Sequence, residues 1–293
     1  MNILLTGSSG FIGSYFQDNY NKENKISTFS FQNDRLDKLD LIDIDTIIHL
    51  SALVHQMGGA SKEAYWKINV DNTLELAQKA KKHGVKHFIF ISSVKVYGEE
   101  TDTPYNEITK CTPQDDYGKS KLEAENKLLE LEDNVPKGIS VGYFKVSIIR
   151  TPIVYGYGVK ANIKNLINLI KKTPVLPLSQ INNSRSMVYI GNLCALIDKL
   201  CKIKTSGIFL AADDHAVSTT KLIELIASDL HKNIYLIKIP FFESLLKMLK
   251  PSVHKRLYES LEINNDITKK ILNHKNPYST EDGIKYMIHG ENR

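Results

Sequence analysis

Two side chains in the stretch DDYGKSKLEAE, residues 115–125, have the types and the spacing needed for acid–base chemistry. The stretch is typical of the start of a helix, and positions four apart share one helix face. Tyr117 and Lys121 are therefore predicted to lie one turn apart. An ammonium group favours an ionised phenol, so the pair can exchange a proton with a substrate. The alternative is a surface pair on a charged helix.

A strand, a glycine-rich turn and a helix are predicted at the start of the chain, in NILLTGSSGFIGS. Gly7, Gly10 and Gly13 follow the strand and lead into a helix from about Phe11. Such a turn places backbone N–H groups and a helix N-terminus where they can bind a pyrophosphate. The spacing predicts a dinucleotide site, with an ordinary glycine-rich turn as the alternative.

Strand-like and helix-like segments alternate through the first half of the chain. This alternation predicts an α/β fold with a parallel sheet and crossover helices. The regular pattern ends near Tyr155, so we expect a dinucleotide-binding domain over 1–155 and a substrate-binding lobe over 156–293. The chain is expected to return to the first domain around 186–206.

Serines follow or end two of the predicted strands. Ligands bind at the carboxyl ends of strands in open α/β sheets. Ser51 follows the third strand, and Ser93 ends the fourth, 24 residues before Tyr117. The hydroxyl of Ser93 is thus predicted to meet the same substrate oxygen as the phenol.

Five motifs in combination resemble those of the extended short-chain dehydrogenase/reductase family, the nucleotide-sugar epimerases, dehydratases and reductases. They are T-G-x-x-G-F-I-G at 6–13, H-L-S-A at 49–52, N-V at 69–70, S-S-x-x-V-Y-G at 92–98 and Y-G-K-S-K at 117–121. The resemblance covers nearly the whole chain. It implies a Rossmann-type doubly wound parallel sheet with a smaller C-terminal α/β substrate lobe. It also implies an enzyme that depends on NAD(P)(H). The competing interpretation is a binding protein that senses the cofactor, but such a protein does not need the Ser93–Tyr117–Lys121 set.

The resemblance also implies roles for individual residues. Tyr117 is the acid–base group, Lys121 holds the nicotinamide ribose and lowers the tyrosine pKa, and Ser93 hydrogen-bonds the reacting oxygen. Asn69 supports the site from the helix after H-L-S-A, with a plain helix-interior polar residue as the alternative. The expected cofactor contacts are Gly7, Ser9, Gly10, Phe11, Ile12, Gly13, Arg35, Leu50, Ser51, Ala52, Leu53, Asn69, Ile91, Ser92, Tyr117, Lys121, Pro152, Ile153 and Val154.

The substrate side of the site is predicted with fewer residues. Arg185 matches the family position that grips the substrate diphosphate, a task that suits a guanidinium fork, and a loop-surface arginine is the alternative. Asn162 is a candidate near the phosphates or base of the nucleotide. Val94 and Lys95 join Ser93 as expected substrate contacts. They also stand where a dehydratase carries an acidic pair, so we exclude 4,6-dehydration.

The chain departs from the family pattern elsewhere. Ile153 replaces an asparagine of the sugar 4-epimerases, and a helix and strand that usually follow the second strand have no room. The C-terminal R-x-G-D signature is missing, and FFESLLKMLKPSVHKRLYESL stands in its place. Arg256 either replaces that arginine or, as preferred, is a solvated helix residue. The stretch could also touch a membrane surface, but packing within the lobe is the preferred interpretation.

The end of the second strand bears on the choice of cofactor. NAD-specific proteins of this fold carry an acidic residue there, whereas this chain offers Ser30 and Phe31, with Asp34 later. Arg35 could pair with a 2′-phosphate, which slightly favours NADP(H) unless Asp34 takes the acidic role. NADPH suits net reduction. We therefore predict a 4-ketoreductase of a UDP-4-keto-6-deoxy-N-acetylhexosamine, with a UDP-glucose or UDP-GlcNAc 4-epimerase as the alternative.

The bulk composition excludes other classes of protein. The 293 residues are 42% hydrophobic and 24% charged with a net charge of +5, which suits an anionic small molecule but not nucleic acid. Three cysteines without C-x-x-C argue against a disulfide framework and a metal site. No signal peptide and no membrane insertion are expected. We expect a cytoplasmic homodimer that pairs through the helices near 61–83 and 117–132.

Overall fold

Ten strands and eleven α-helices make up the computed structural model, which describes residues 1–54, 60–133 and 143–291. The strands are β1 (Asn2–Thr6), β2 (Lys25–Phe29), β3 (Thr46–His49), β4 (His87–Ser93), β5 (Lys145–Thr151), β6 (Ile153–Tyr155), β7 (Val175–Leu176), β8 (Met187–Tyr189), β9 (Gly207–Leu210) and β10 (Tyr235–Leu236). The helices are α1 (Phe11–Tyr20), α2 (Lys62–Trp66), α3 (Asn72–Lys82), α4 (Asp116–Leu131), α5 (Ala161–Lys172), α6 (Ile190–Ile203), α7 (Thr219–Asp229), α8 (Phe242–Leu249), α9 (Pro251–Tyr258), α10 (Asp266–Leu272) and α11 (Thr280–His289).

Six strands form a parallel sheet in the order β2-β1-β3-β4-β5-β9. The register pairs Thr6 of β1 with His49 of β3, and Ser93 of β4 with Thr151 of β5. The carboxyl ends of these strands therefore meet at one edge, where the predicted ligand site lies. The chain reverses its direction of winding at β1, and the predicted α/β, doubly wound fold is confirmed.

Both faces of the sheet are buried, which is why its strands are continuous apolar runs rather than alternating ones. Ile3 and Leu5 of β1 pack on the face that contains α6, whereas Leu4 packs on the face that contains α3 and α4. Cys194 and Cys201 lie fully buried on α6. Helices on both faces thus hold the sheet edge in a fixed shape.

The segment between β2 and β3 is short. It contains a single 3₁₀ turn, Leu36–Lys38, where a further helix and strand had no room in the sequence. Strand β2 is consequently the outer strand on its side of the sheet. The adenosine side of the predicted cofactor site is built from this short segment.

The second half of the chain forms two small sheets and rejoins the large one. Strand β6 pairs with β8, and β7 pairs with β10, next to helices α5 and α7. Strand β9 then pairs with β5, close to the return expected around 186–206. The division of the chain at residue 155 into two domains stays a prediction. Within the described residues, no helix meets the length and hydropathy required to cross a membrane.

Candidate active site

The structure brings Ser93 and Tyr117 together at the carboxyl edge of the sheet. Strand β4 ends at Ser93, and α4 begins one residue before Tyr117. Their side chains are hydrogen-bonded, and the Tyr117 ring lies 6.1 Å from the ring centroid of Tyr65. The pair was predicted from residue type and spacing. The hydrogen bond shows that the two hydroxyls lie close enough to contact the same substrate oxygen.

Lys121 follows Tyr117 by one turn and is fully buried, with Nζ 3.8 Å from the ring centroid of Phe90. Burial lowers the pKa of Lys121 to about 7, against the opposing effect of the Glu125 carboxylate. Burial likewise raises the pKa of Tyr117 to about 12, although its bond to Ser93 acts in the other direction. The net shift of the phenol is thus upward, opposite to the direction expected from the sequence.

A buried ion pair lies beyond Lys121 along α4. The guanidinium of Arg150 on β5 donates to both carboxylate oxygens of Glu125, at 2.6 Å from Nη2 to Oε2. The hydroxyl of Ser92 also donates to Glu125, so Ser92 faces this pair rather than a ligand. This corrects the cofactor contact expected of Ser92. Glu125 could have been noticed at i+8 from Tyr117, but its partner on β5 could not.

The first turn of α4 is fixed by the residues that follow β4. Asp115 caps the helix by accepting from the backbone N–H of Gly118 at 2.7 Å. The ammonium of Lys95 binds Asp115 at 2.5 Å and Glu99 at 3.0 Å. Val94 is 4% exposed and packs in an apolar cluster. Both side chains thus support the start of α4, and the substrate contacts expected of them stay predictions.

Asn69 lies in a five-residue π-helical segment, Lys67–Asp71, between α2 and α3. Its side chain accepts from the N–H of Leu53, and donates to the carbonyl of Leu53 and the hydroxyl of Ser120. Ser120 in turn donates to the carbonyl of Tyr117. Both amide hydrogens of Asn69 are used within the protein. We therefore place it as a positioning residue rather than as the direct cofactor ligand that was expected.

The glycine turn forms a cradle of backbone between β1 and α1. Gly7 has a φ of 69°, and a Cβ there would lie 2.9 Å from the backbone nitrogen of Ser51. Gly10, the N-cap of α1, presents no side chain in front of the helix N-terminus. Exposed N–H groups at a helix N-terminus bind phosphate, so this cradle fits the pyrophosphate of a dinucleotide.

The end of β2 carries a carboxylate that arrives from the following loop. Oδ2 of Asp34 accepts from the backbone N–H of Ser30 at 2.8 Å. The guanidinium of Arg35 is exposed and binds Asp37 through two hydrogen bonds, at 3.1 and 2.7 Å. The Asp34 carboxylate therefore lies against the residue that follows β2, and Arg35 is turned to a carboxylate of its own loop.

The other predicted cofactor contacts lie near the same edge or in the turns after it. Thr6 Oγ1 accepts from the backbone N–H of Ser51 and is hydrogen-bonded to buried His49, which is itself bonded to Thr73. This chain of polar groups fixes the ends of β1 and β3 and was not anticipated. The remaining residues of the predicted set are Ser9, Phe11, Ile12, Gly13, Leu50, Ala52, Leu53, Ile91, Pro152 and Val154.

A separate cavity of about 100 Å³ is lined by two of the predicted substrate residues, Asn162 and Arg185, but not by Ser93, Val94 or Lys95. Arg185, Asn162 and Arg256 line it, together with Ile153 and Leu257. Nη1 of Arg256 donates to Oδ1 of Asn162 at 2.8 Å. Nη1 of Arg185 donates to the carbonyl of Glu259, at the end of α9, at 2.8 Å. The two arginines thus line one cavity, and Arg256 is a partly exposed residue of α9 whose role towards a substrate stays a prediction.

Comparisons with known proteins show the family of the chain. The model of the NAD dependent epimerase/dehydratase family matches residues 3–212. A UDP-glucose 4-epimerase of Vibrio cholerae is 33% identical over 312 residues, which cover 97% of this chain and 93% of that protein. The N-acetyl-alpha-D-glucosaminyl-diphospho-ditrans,octacis-undecaprenol 4-epimerase of Escherichia coli O157:H7 is 29% identical, over 82% of this chain and 76% of that protein.

Solved structures show the same fold. A dTDP-4-dehydrorhamnose reductase of Bacillus anthracis in complex with NADP matches with a TM-score of 0.79 at 19% identity, over 99% of both chains. At that identity the likeness supports the fold alone. The family model covers most of the chain and the Vibrio cholerae relative nearly all of it. The resemblance predicted from the motifs is therefore confirmed, and the chain belongs to the NAD dependent epimerase/dehydratase family of enzymes.

Proposed function

We propose that this enzyme is a 4-epimerase of a hexose or N-acetylhexosamine joined to a diphosphate, with NAD as its bound cofactor. The observation that carries the proposal is the Ser93–Tyr117 hydrogen bond at the end of β4, with buried Lys121 one turn along α4. A hydroxyl, a phenol and an amine so arranged can hold one substrate oxygen and exchange its proton. The family membership and the two 4-epimerase relatives support the same reaction.

Oxidation at C4 breaks one C–H bond and one O–H bond of the sugar. Tyr117 must be ionised to accept the hydroxyl proton, against the upward shift of its pKa described above, and Ser93 holds the same oxygen through a hydrogen bond. A protonated Lys121 stabilises the phenolate, since it lies one turn away on the same helix face. The nicotinamide cofactor, when bound, supplies reversible hydride transfer at that carbon. Return of hydrogen to the opposite face of the C4 ketone, with the proton returned by Tyr117, gives the epimer.

Two groups at the sheet edge would hold the cofactor. The cradle of Gly7 and Gly10 suits the pyrophosphate, and the carboxylate of Asp34 suits the ribose 2′-hydroxyl. A carboxylate there repels a 2′-phosphate, and Arg35 is paired with Asp37. These contacts favour NAD over the NADP(H) preference that was predicted. An epimerase returns its hydride in every turnover, whereas the predicted 4-ketoreductase needs a net supply of reduced cofactor.

The separate cavity lined by Arg185 and Arg256 favours a substrate that carries a diphosphate. Arg185 and Arg256 line the same cavity, and guanidinium groups bind phosphate oxygens through paired N–H donors. The group beyond the diphosphate is a uridine in the substrate of the Vibrio cholerae relative and an undecaprenol in that of the Escherichia coli relative. The proposed site recognises the hexosyl diphosphate that both substrates share.

The test is sugar interconversion without added reductant. The purified enzyme is incubated with UDP-GlcNAc or UDP-glucose, and the C4 epimers are followed by NMR. In parallel, consumption of NADH or NADPH is followed with a UDP-4-keto-6-deoxy-N-acetylhexosamine. We expect interconversion with no net consumption of cofactor, and NAD released from the denatured protein. Reduction of the keto sugar without any interconversion would instead assign the enzyme to the 4-ketoreductases.

Binding of the diphosphate is tested separately. Replacing Arg185 by Ala should raise the KM for the sugar nucleotide at least about tenfold, because a charged hydrogen-bonding partner of the phosphates is lost. NAD affinity should stay unchanged, since Arg185 lines the cavity rather than the glycine cradle. A weakened NAD affinity with an unaltered KM would show that the arginine is wrongly assigned.

A further inference from the structure

Helix α8 exposes an apolar face instead of packing it within the lobe. None of its residues is buried, and Leu245, Met248 and Leu249 are 50%, 72% and 65% exposed. Phe241, directly before the helix, is 86% exposed. The spacing of these four residues, i, i+4, i+7 and i+8, places them on one stripe of the helix surface. The lobe packing preferred from the sequence is therefore wrong for this stripe.

The exposed stripe is the outer side of a helix pair. On the inner side, Phe242 of α8 and Leu257 of α9 pack against the main apolar core. The carboxylate of Glu243 on α8 accepts a hydrogen bond from Nε2 of His254 on α9 at 3.3 Å, which links the two helices. Because the inner contacts hold α8 in place, its outer stripe is presented as a fixed surface.

Lysines lie in the same segment, on faces of α8 other than this stripe and directly before the helix. Between residues 237 and 250 the chain carries three lysines and a single acidic residue. Lys238, Lys247 and Lys250 are all exposed. The segment leading into α8 also exposes Ile237 and Ile239. A helix with bulky apolar residues on one face and lysines around it is typical of proteins that lie in the interface of an anionic membrane.

We propose that Phe241, Leu245, Met248 and Leu249, together with Lys238, Lys247 and Lys250 of the same segment, dock the enzyme on an anionic membrane surface. The apolar side chains enter the boundary between headgroups and acyl chains, and the lysines bind lipid phosphates. No membrane-crossing segment is needed, since the helix lies in the plane of the interface. The charge of the patch selects this occupant over an apolar protein partner.

Docking would also place the substrate cavity near the lipid, a consequence that rests on the proposed function. Helix α9 contributes Arg256 and Leu257 to the cavity and packs against α8. Packed helices lie about 10 Å apart, so the cavity is roughly one helix layer from the docked face. A hexosyl diphosphate carried by a membrane lipid would therefore be within reach of the two cavity arginines.

Vesicle binding tests the docking without substrate or cofactor. Full-length protein is mixed with vesicles of phosphatidylcholine alone or with about one third phosphatidylglycerol, and the bound fraction is measured by flotation. We expect binding to the anionic vesicles, at least about tenfold weaker for the double variant Leu245→Ser, Met248→Ser. Replacing Lys247 and Lys250 by Glu should remove the preference for phosphatidylglycerol.

The matched control is Ile42→Ser, because Ile42 is 73% exposed in the turn before β3, away from α8 in the chain. It should bind vesicles like the unmodified protein, and all variants should keep the same melting temperature. Equal binding by the double variant and the control would overturn the proposal. A different result would also overturn it: no vesicle binding, with a dimer seen by sedimentation in the unmodified protein but not in the double variant. That result would assign the stripe to contact with a second copy of the chain. Neither readout depends on epimerase activity, so the two proposals fail separately.

Discussion

At the scale of single residues, the proposed proton transfer depends on the hydroxyl of Tyr117. Replacement by Phe keeps the ring beside Tyr65 and removes the group that bonds Ser93. We expect kcat to fall at least about a hundredfold, the usual contribution of a positioned acid–base group. NAD affinity, measured by fluorescence titration, should change little.

The control for this variant is Tyr105→Phe. Tyr105 also uses its hydroxyl, which donates to the carbonyl of Glu100 at 2.6 Å, but it lies outside the site. This variant should retain nearly full turnover. Full turnover by Tyr117→Phe would contradict the mechanism. Loss of NAD binding would show that the substitution disturbs the structure of the site and does not only remove the acid–base group.

Lys121 gives a prediction about stability and pH. Its pKa is 10.5 when unfolded and about 7 when folded, so the buried ammonium opposes folding. The loss of stability due to Lys121 is fully present below pH 7 and disappears as the pH rises towards 10.5, because between these values only the unfolded chain binds the proton. At about 1.4 kcal/mol per pKa unit, Lys121→Met should be more stable by a few kcal/mol at pH 6. The gain should shrink steadily between pH 7 and pH 10.

Urea unfolding at pH 6, 8 and 10 measures this difference. Lys119→Met is the matched control, since Lys119 lies on the same helix with its side chain 49% exposed. Its stability difference should be small and independent of pH. If the gain in stability of Lys121→Met over the unmodified protein is no larger at pH 6 than at pH 10, the ammonium is compensated within the fold.

The residues of the site were only partly predictable. Ser93, Tyr117 and Lys121 follow from local spacing and from the ends of predicted strands. Ser92 and Lys95 are neighbours of Ser93, but their side chains bind Glu125 and Asp115. Which carboxylate meets which cation depends on how α4 packs on β4 and β5, and that packing is not encoded in any local pattern.

At the scale of elements, the position of α4 against the end of β4 decides whether Ser93 and Tyr117 meet. Gly118 allows this contact, because a Cβ there would lie 2.7 Å from the carbonyl oxygen of Lys95. Gly118→Ala should push the first turn of α4 away and lower kcat by about tenfold, as small displacements of reacting groups do. The gain in helix propensity, up to about 1 kcal/mol, offsets part of the cost of this clash.

Turnover and melting temperature should be measured together for this variant. Lys119→Ala provides the control, since it changes the same turn at an exposed position and should leave kcat within about twofold. An unchanged kcat in Gly118→Ala would show that the close contact does not position the tyrosine.

Most elements were predictable because their apolar periods are regular. The helix from Phe11 agrees with the prediction, and α11 begins with a capping box between Ser279 and Asp282. The π-helical segment Lys67–Asp71 was not foreseen, because its extra residue is stabilised by contacts of Asn69 with Leu53 and Ser120. The exposed stripe of α8 was not foreseen either, because the spacing of apolar residues does not show whether the face they form packs against the rest of the protein.

At the scale of the whole molecule, Arg256 of the cavity and the stripe of α8 are carried by one helix pair, α8 and α9, and this arrangement gives the last prediction. The assay compares two N-acetylglucosamine donors, UDP-GlcNAc in solution and a polyprenyl diphosphate-linked N-acetylglucosamine in phosphatidylglycerol vesicles. The double variant Leu245→Ser, Met248→Ser leaves the cavity intact and should convert UDP-GlcNAc at the unmodified rate. With the lipid-linked sugar its rate should fall about tenfold, because fewer enzyme molecules are held where the substrate is. Ile42→Ser should match the unmodified enzyme with both donors. An equal loss with both would mean that α8 acts through the cavity and not through the membrane.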